Sequence, residues 1–165
     1  MHIRDARPSD APAIAAIWNA IIRDTVITFN PVERSVAEIA DMIAARQAAG
    51  HAVMAAEADG AVLGFGTYAP FRTGQGYART MEHTLYLAPA AQRRGAGRTL
   101  LQALEAHAAQ AGHHVMVAAI SQENAGGIAF HAAMGYRETG RMRQVGWKFG
   151  RYHDLVLMQK ILCAK

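Results

Sequence analysis

The sequence predicts a mixed α/β fold of the α+β kind, with a hairpin-rich sheet rather than a doubly wound parallel one. Three observations predict it. Asp59-Gly60, the strongest short hairpin signal, lies between two strand-like runs, His51–Ala58 and Ala61–Ala69. Two helical segments late in the chain each separate strand segments, as crossovers do. The 165 residues contain no repeat, low-complexity block or linker, so residues 1–165 form a single domain.

The elements follow in order. After a short strand at 2–6, Ser9 and Asp10 offer N-caps for a helix whose Ile14, Ile17, Trp18, Ile21 and Ile22 form one apolar stripe. Ser35 and Glu38 complete a capping box that opens a second helix, which stops at Gly50. The hairpin comes next, then a loop from Pro70 to Thr80 with Gly74, Gly76 and two arginines. Met81–Ala88 alternates polar and apolar residues until Pro89 ends it. A helix from Gly97 to Ala111 carries Leu100, Leu101 and Leu104 and is closed by Gly112. The apolar run His114–Ile120 has the length of a buried strand. A shorter helix, Ala125–Met134, is closed by Gly135, and strands near Tyr136–Met142 and Tyr152–Leu162 finish the chain.

Composition excludes several classes. At 52% apolar and 18% charged the chain sits near the globular average, which argues against disorder and against a coiled coil. No stretch approaches 18 consecutive apolar residues, so no membrane span is expected. The start, Met1-His2-Ile3-Arg4-Asp5, has no basic region followed by an apolar block, so no secretory signal is expected. Cys163 is the one cysteine and has no internal partner; it reads as a packing residue and fits a reducing cytoplasm. The net charge of +4 is carried mainly by arginine. The densest cluster, Arg93-Arg94-Gly-Ala-Gly-Arg98, has no interleaved aromatics, which favours a small phosphate-bearing ligand over nucleic acid.

That cluster carries the chemistry. In Leu85–Leu100 a strand runs into a glycine turn that opens a helix. Backbone N–H groups at a helix start lack internal partners, and the helix dipole adds positive charge. Gly95 and Gly97 let the backbone approach a phosphate, while Arg93, Arg94 and Arg98 supply full charges. A P-loop is excluded because Gly97 is followed by Arg98-Thr99 rather than Lys-Ser/Thr. A dinucleotide fingerprint is excluded because position 100 is Leu. An ordinary helix start on an arginine-rich surface is the alternative.

Gln92-Arg93-Arg94-Gly95-Ala96-Gly97 resembles the Gln/Arg-x-x-Gly-x-Gly/Ala signature of the GCN5-related N-acetyltransferase (GNAT) superfamily. Asn124, Phe130 and Gly135-Tyr136 resemble its next motif. Trp18-Asn19, Thr28-Phe29-Asn30, Glu82–Leu87, His114–Ala118 and Gln144–Arg151 resemble the phosphinothricin / methionine sulfoximine N-acetyltransferase branch. The resemblance implies a central, mostly antiparallel sheet flanked by helices and an acetyl-CoA-dependent N-acetyltransferase. The acceptor would be the α-amine of a small amino acid or analogue, attacked directly, with no metal.

It also implies roles. Arg93, Arg94, Gly95, Ala96, Gly97 and Arg98 would hold the pyrophosphate, and the backbone of Leu85, Tyr86 and Leu87 would pair with the pantetheine arm and polarise the thioester. Asn124 would contact pantetheine; it also reads as a helix N-cap. Glu82, on an apolar strand beside a cleft, would be the catalytic base, with a surface ion pair as the alternative. His131 stands where many superfamily members carry the tyrosine that protonates the thiolate; a histidine satisfied by local hydrogen bonds is the alternative. Arg72, Gly76, Tyr77, Arg79 and Glu82 match the branch's substrate site, with a guanidinium facing an anionic group. His107, His113 and His114 do not form a metal set. A homodimer is expected, with the aromatic-rich Met142–Arg151 as interface or active-site wall. Two other functions stay open: protein N-terminal acetylation, and a non-catalytic module binding CoA or nucleic acid.

Overall fold

The computed structural model describes residues 1–162, so Cys163 lies outside the described residues. Seven strands form one sheet in the order β1-β2-β3-β4-β5-β7-β6. They are β1 (His2–Asp5), β2 (Val53–Ala58), β3 (Ala61–Pro70), β4 (Thr80–Leu87), β5 (Val115–Ser121), β6 (Arg137–Lys148) and β7 (Arg151–Ile161). Every neighbouring pair is antiparallel except β4–β5, so the expected mixed, mostly antiparallel sheet is observed.

The helices α1 (Ala11–Asp24) and α2 (Val36–Ala48) cover one face. Ile14, Trp18, Ile22, Ile39 and Ile43 bury there against Val53, Ala55 and Phe65. The capping box of α2 forms as read, with Glu38 N–H donating to Ser35 Oγ and Ser35 N–H to the Glu38 carboxylate. The other face carries α3 (Ala96–Gln110) and α4 (Ala125–Ala133). There Leu101, Leu104 and Ala108 pack with Tyr68, Met81, Met116 and Met158. Gly66 lets α3 come close, because a Cβ on it would sit 2.6 Å from Leu104 Cδ1.

Three local readings need correction. Asp10 does not cap α1 with its side chain. Its carboxylate instead accepts from the Arg4 guanidinium at 2.7 and 2.9 Å and from Arg7 N–H at 2.7 Å, and an ion pair outbids a neutral cap. The 70–80 loop is shorter than read, because β3 reaches Pro70 and β4 begins at Thr80. β6 does not end near Met142 but runs to Lys148, where a tight turn at Phe149-Gly150, both with positive φ, returns it into β7. A register shift between Met142 and Gly146, with Gln144 at φ 55, breaks the alternation on which strand reading depends.

Candidate active site

β4 and β5 pair in parallel only from Thr80 to Glu82 against Val115 to Val117, and then they part. Both continue, β4 held by β3 along its other edge and β5 by β7. Parting leaves the facing N–H and C=O groups of both strands without a sheet partner. The gap is a cleft of about 290 Å³, lined by Glu82 to Tyr86 from one strand and Ala118 to Ile120 from the other. Glu82 stands at the vertex of this fork.

Because successive strand residues alternate faces, the fork presents chemistry on both sides of the sheet. Glu82 and Tyr86 belong to the α1–α2 side, where the Tyr86 ring meets Trp18 at 5.8 Å. Glu82 is half-buried. Burial pushes its carboxyl above the ordinary 4.5, and no neighbouring cation pulls it back. It is therefore a carboxylate that favours taking up a proton.

His83 points to the opposite side and meets His131 of α4, with the two Nε2 atoms 3.0 Å apart. His131 Nδ1 lies 2.7 Å from Gly127 O. A carbonyl only accepts, so His131 carries its hydrogen on Nδ1. Its Nε2 then accepts the hydrogen that His83 Nε2 donates. Enclosure, with His131 as neighbour, pushes the His83 pKa down to about 3. Burial likewise lowers that of His131, so both rings are neutral at physiological pH. A neutral His131 in this arrangement has no free N–H to offer the cleft.

The remaining wall is the segment after α1, where Ile27 to Asn30 and Arg34 line the cleft. Asn19 clamps it from the helix: its amide donates to Arg34 O and accepts from Arg34 N–H, both at 2.8 Å. Lys148 clamps it from the hairpin, donating to Thr25 O at 2.7 Å and Thr28 O at 2.9 Å. Phe29 stacks on His153 at 5.5 Å, and a Cβ on Gly146 would run into the Phe29 ring. His153 is fixed in turn, with Nδ1 2.6 Å from Glu123 Oε1 and Nε2 3.0 Å from Lys148 O. The inner side of the hairpin thus braces the segment that lines the cleft, while Trp147, Phe149 and Tyr152 turn outward and are exposed.

Down β4 a second cavity of about 300 Å³ is lined by Leu85, Leu87, Arg93, Gly95, Gly97, Arg98 and Phe130. Leu85 lines both cavities, so one ligand laid along β4 spans them. Arg93 and Gly95 take left-handed backbone conformations, φ 59 and 82, that turn the chain into α3. Thr99 N–H reaches Gly95 O at 3.1 Å, which leaves the N–H groups of Ala96, Gly97 and Arg98 for an external acceptor. A Cβ on Gly97 would lie 3.4 Å from Leu87 Cδ1 and 3.5 Å from Phe130, so a larger side chain grows into the cavity. The unpaired N–H groups and the arginines of this helix start suit an anion such as a pyrophosphate, and the two cavities run from it along β4 to Glu82.

The fold gathers Glu82, His131, Leu85, Tyr86 and Asn124 in the cleft and Arg93, Gly95, Gly97 and Arg98 in the cradle, with Ala96 between them and Arg94 exposed beside it. Asn124 fills both of its readings: its side chain caps α4 through Gly127 N–H at 2.9 Å, and it lines the cleft. Arg72, Gly76, Tyr77 and Arg79 are exposed and line neither cavity. Sequence reading gave no role to Trp18, Thr28, Arg34, His83 or Lys148. Isolated residues from separate elements leave no spacing signature, though the Trp18-Asn19, Thr28–Asn30 and Gln144–Arg151 runs mark where to look.

The profile of the Acetyltransferase (GNAT) family matches residues 15–136. The L-methionine sulfoximine/L-methionine sulfone acetyltransferase of Salmonella typhimurium is 38% identical over 96% of this chain and 93% of that protein. The phosphinothricin N-acetyltransferase of Alcaligenes faecalis is 35% identical over 98% of this chain and 83% of its own length. Among solved structures, a Salmonella typhimurium chain with its cofactor acetyl-CoA superposes at a TM-score of 0.95, with 38% identity over 100% of this chain and 95% of that one. A ribosomal-protein-alanine N-acetyltransferase from Brucella melitensis also reaches 0.95, with 38% identity over 98% and 100% of the two chains. Likeness at that level along nearly the whole chain, in sequence and in fold alike, makes this protein a member of the Acetyltransferase (GNAT) family.

Proposed function

We propose that the protein transfers the acetyl group of acetyl-CoA to the α-amine of a small amino acid or analogue, of the methionine sulfoximine or phosphinothricin kind. The observation that carries this reading is Glu82: a half-buried carboxylate without a cation partner, at the vertex where β4 and β5 part. Acetyl-CoA, when bound, supplies the acetyl group as an activated thioester. The helix start with Arg93, Arg94, Gly95, Ala96, Gly97 and Arg98 holds the pyrophosphate. The free edge of β4 at Leu85, Tyr86 and Leu87 orients the pantetheine arm and offers an N–H to the carbonyl oxygen, and Asn124 steadies the arm from α4. Glu82 accepts the proton of the incoming ammonium, directly or through one water. His131 borders the sulfur side of the fork, where its lone pair is tied to His83. Because a thiolate leaves readily, no strong acid is needed there. Arg72, Gly76, Tyr77 and Arg79 form an outer substrate loop in this proposal.

The homologues named for methionine sulfoximine, methionine sulfone and phosphinothricin support this substrate class. A panel of L-amino acids and analogues, assayed for thiol release from acetyl-CoA, tests it. Methionine sulfone and sulfoximine should turn over, and release with no panel member refutes the reading. The second reading, acetylation of protein N-termini, is favoured by the Brucella neighbour and is tested by adding alanine-initiated peptides to the same panel. We further propose a homodimer working in the cytoplasm. The outward Trp147, Phe149 and Tyr152 support the dimer, at 56%, 59% and 60% exposure. Light scattering at micromolar concentration should give twice the chain mass of 17.8 kDa, and the single-chain mass refutes it.

A further inference from the structure

We infer that Arg34 receives the α-carboxylate of the amino-acid substrate, an assignment that rests on the amino-acid reading above. Arg34 lines the same cleft as Glu82 and on the same side of the sheet as Trp18 and Tyr86. Its guanidinium lies over the Trp18 ring, 4.4 Å from the centroid, which fixes the plane of the fork. Its Nε is enclosed and has no hydrogen-bond partner among the described residues. A buried donor left unpaired is costly unless a ligand satisfies it.

The acids that could have neutralised it are engaged elsewhere. Glu33 turns to Arg23 at 3.2 Å, and Glu38 turns back to Ser35 N–H at 2.7 Å. The backbone of Arg34 is locked at both N–H and C=O by Asn19, so the cation is held at the cleft rather than swept through solvent. The cleft therefore offers an unpaired guanidinium and, separately, a carboxylate that favours taking up a proton. That pair is the complement of a zwitterion: the fork of the guanidinium for a planar carboxylate, Glu82 for the ammonium. Among the described residues no other arginine lines the cleft, since Arg72 and Arg79 lie outside it.

The test compares two acceptors, L-methionine sulfone and its primary amide, which keeps the amine and side chain but removes the negative charge. In Arg34→Gln, KM for the acid should rise at least tenfold, while KM for the amide and for acetyl-CoA stay within about twofold. Arg34→Lys, which keeps the charge and the packing stem, should fall between wild type and Gln; it also controls for a fold defect, read by far-UV circular dichroism. Equal effects on acid and amide, no effect on either, or acid-selective loss in Arg72→Ala instead of Arg34→Gln each overturn the anchor and leave the acetyltransferase reading standing. Wild-type turnover of neither acceptor, nor of any amino acid, overturns the amino-acid reading and the anchor with it.

Discussion

Glu82→Gln keeps the shape of the side chain at the vertex of the fork and removes the proton acceptor. The wild-type carboxyl is half-buried, unpaired and raised above 4.5 by burial alone, so it takes up a proton more readily than a free glutamate does. A positioned base contributes about 10²–10⁴-fold, or about 2.7–5.5 kcal/mol of transition-state stabilisation at about 1.36 kcal/mol per decade. We expect kcat at pH 7 to fall within that range. KM for acetyl-CoA should move less than about twofold, since the cradle lies at the far end of β4. Solvent must deprotonate the amine in the variant, so its rate should climb about tenfold per pH unit until the free amine predominates. The deficit should narrow accordingly between pH 6 and 9. Folding gives an independent check on the same carboxyl. A raised native pKa means that the folded state binds the proton more tightly than the unfolded chain. That stabilisation is complete below about 4.5 and disappears as pH rises through the native value. Glutamine escapes this loss, so the thermal midpoint at pH 7 should match or exceed wild type. Steady-state thiol release across pH 6–9, with calorimetry on both proteins, provides the assay. An unchanged kcat throughout that range, with the fold intact, refutes the base assignment.

The other expectations concern the cradle, the histidine pair and the hairpin. Gly97→Val puts branches into the cavity beside Leu87 and Phe130, so acetyl-CoA binding by isothermal titration should weaken at least tenfold, about 1.4 kcal/mol, with circular dichroism unchanged. His131→Ala should lower kcat less than Glu82→Gln does, because the neutral ring offers no free N–H and the thiolate leaves without help; a larger loss than the Gln variant shows would count against this ordering. Lys148→Met removes both clamps on Thr25 and Thr28, so urea unfolding should show a loss of about 2–4 kcal/mol, and KM for the amine should rise more than KM for acetyl-CoA. Arg151, and after it His153, hold the Glu123 carboxyl down near 2 from 4.5, so this group stabilises the fold above about 4.5 and the benefit fades as pH falls toward 2. Glu123→Gln should therefore lower the thermal midpoint at pH 7, and the gap to wild type should close below pH 4.

The sequence by itself determined the elements whose signals are local. The capping box at Ser35, the apolar stripe of α1, the hairpin at Asp59-Gly60 and the glycine–arginine start of α3 each depend on residues a few positions apart, and each appears where the chain placed it. The glycine turn with its unpaired N–H groups was legible for the same reason, since a helix start leaves its first N–H groups without internal partners wherever it occurs. Asn124 was legible locally as the N-cap of α4, whereas the roles proposed for it and for Glu82 came with the motifs they resemble. Tertiary structure alone decided that β4 and β5 stop pairing at Glu82, and so turned an ordinary strand residue into the vertex of a cleft. It also decided that Asp10 serves Arg4 rather than α1, that the late hairpin extends through a bulge to Lys148, and that His83 faces His131 across 48 positions of sequence. Arg34 and Lys148 were silent in the sequence because an isolated arginine or lysine is solvated by default. Packing sets their surroundings instead: Trp18 and Asn19 hold Arg34 at the cleft, and Lys148 is buried with its ammonium on Thr25 O and Thr28 O. Local signals survive in sequence because their partners are covalent neighbours, whereas burial and the loss of a sheet partner are properties of the assembled fold.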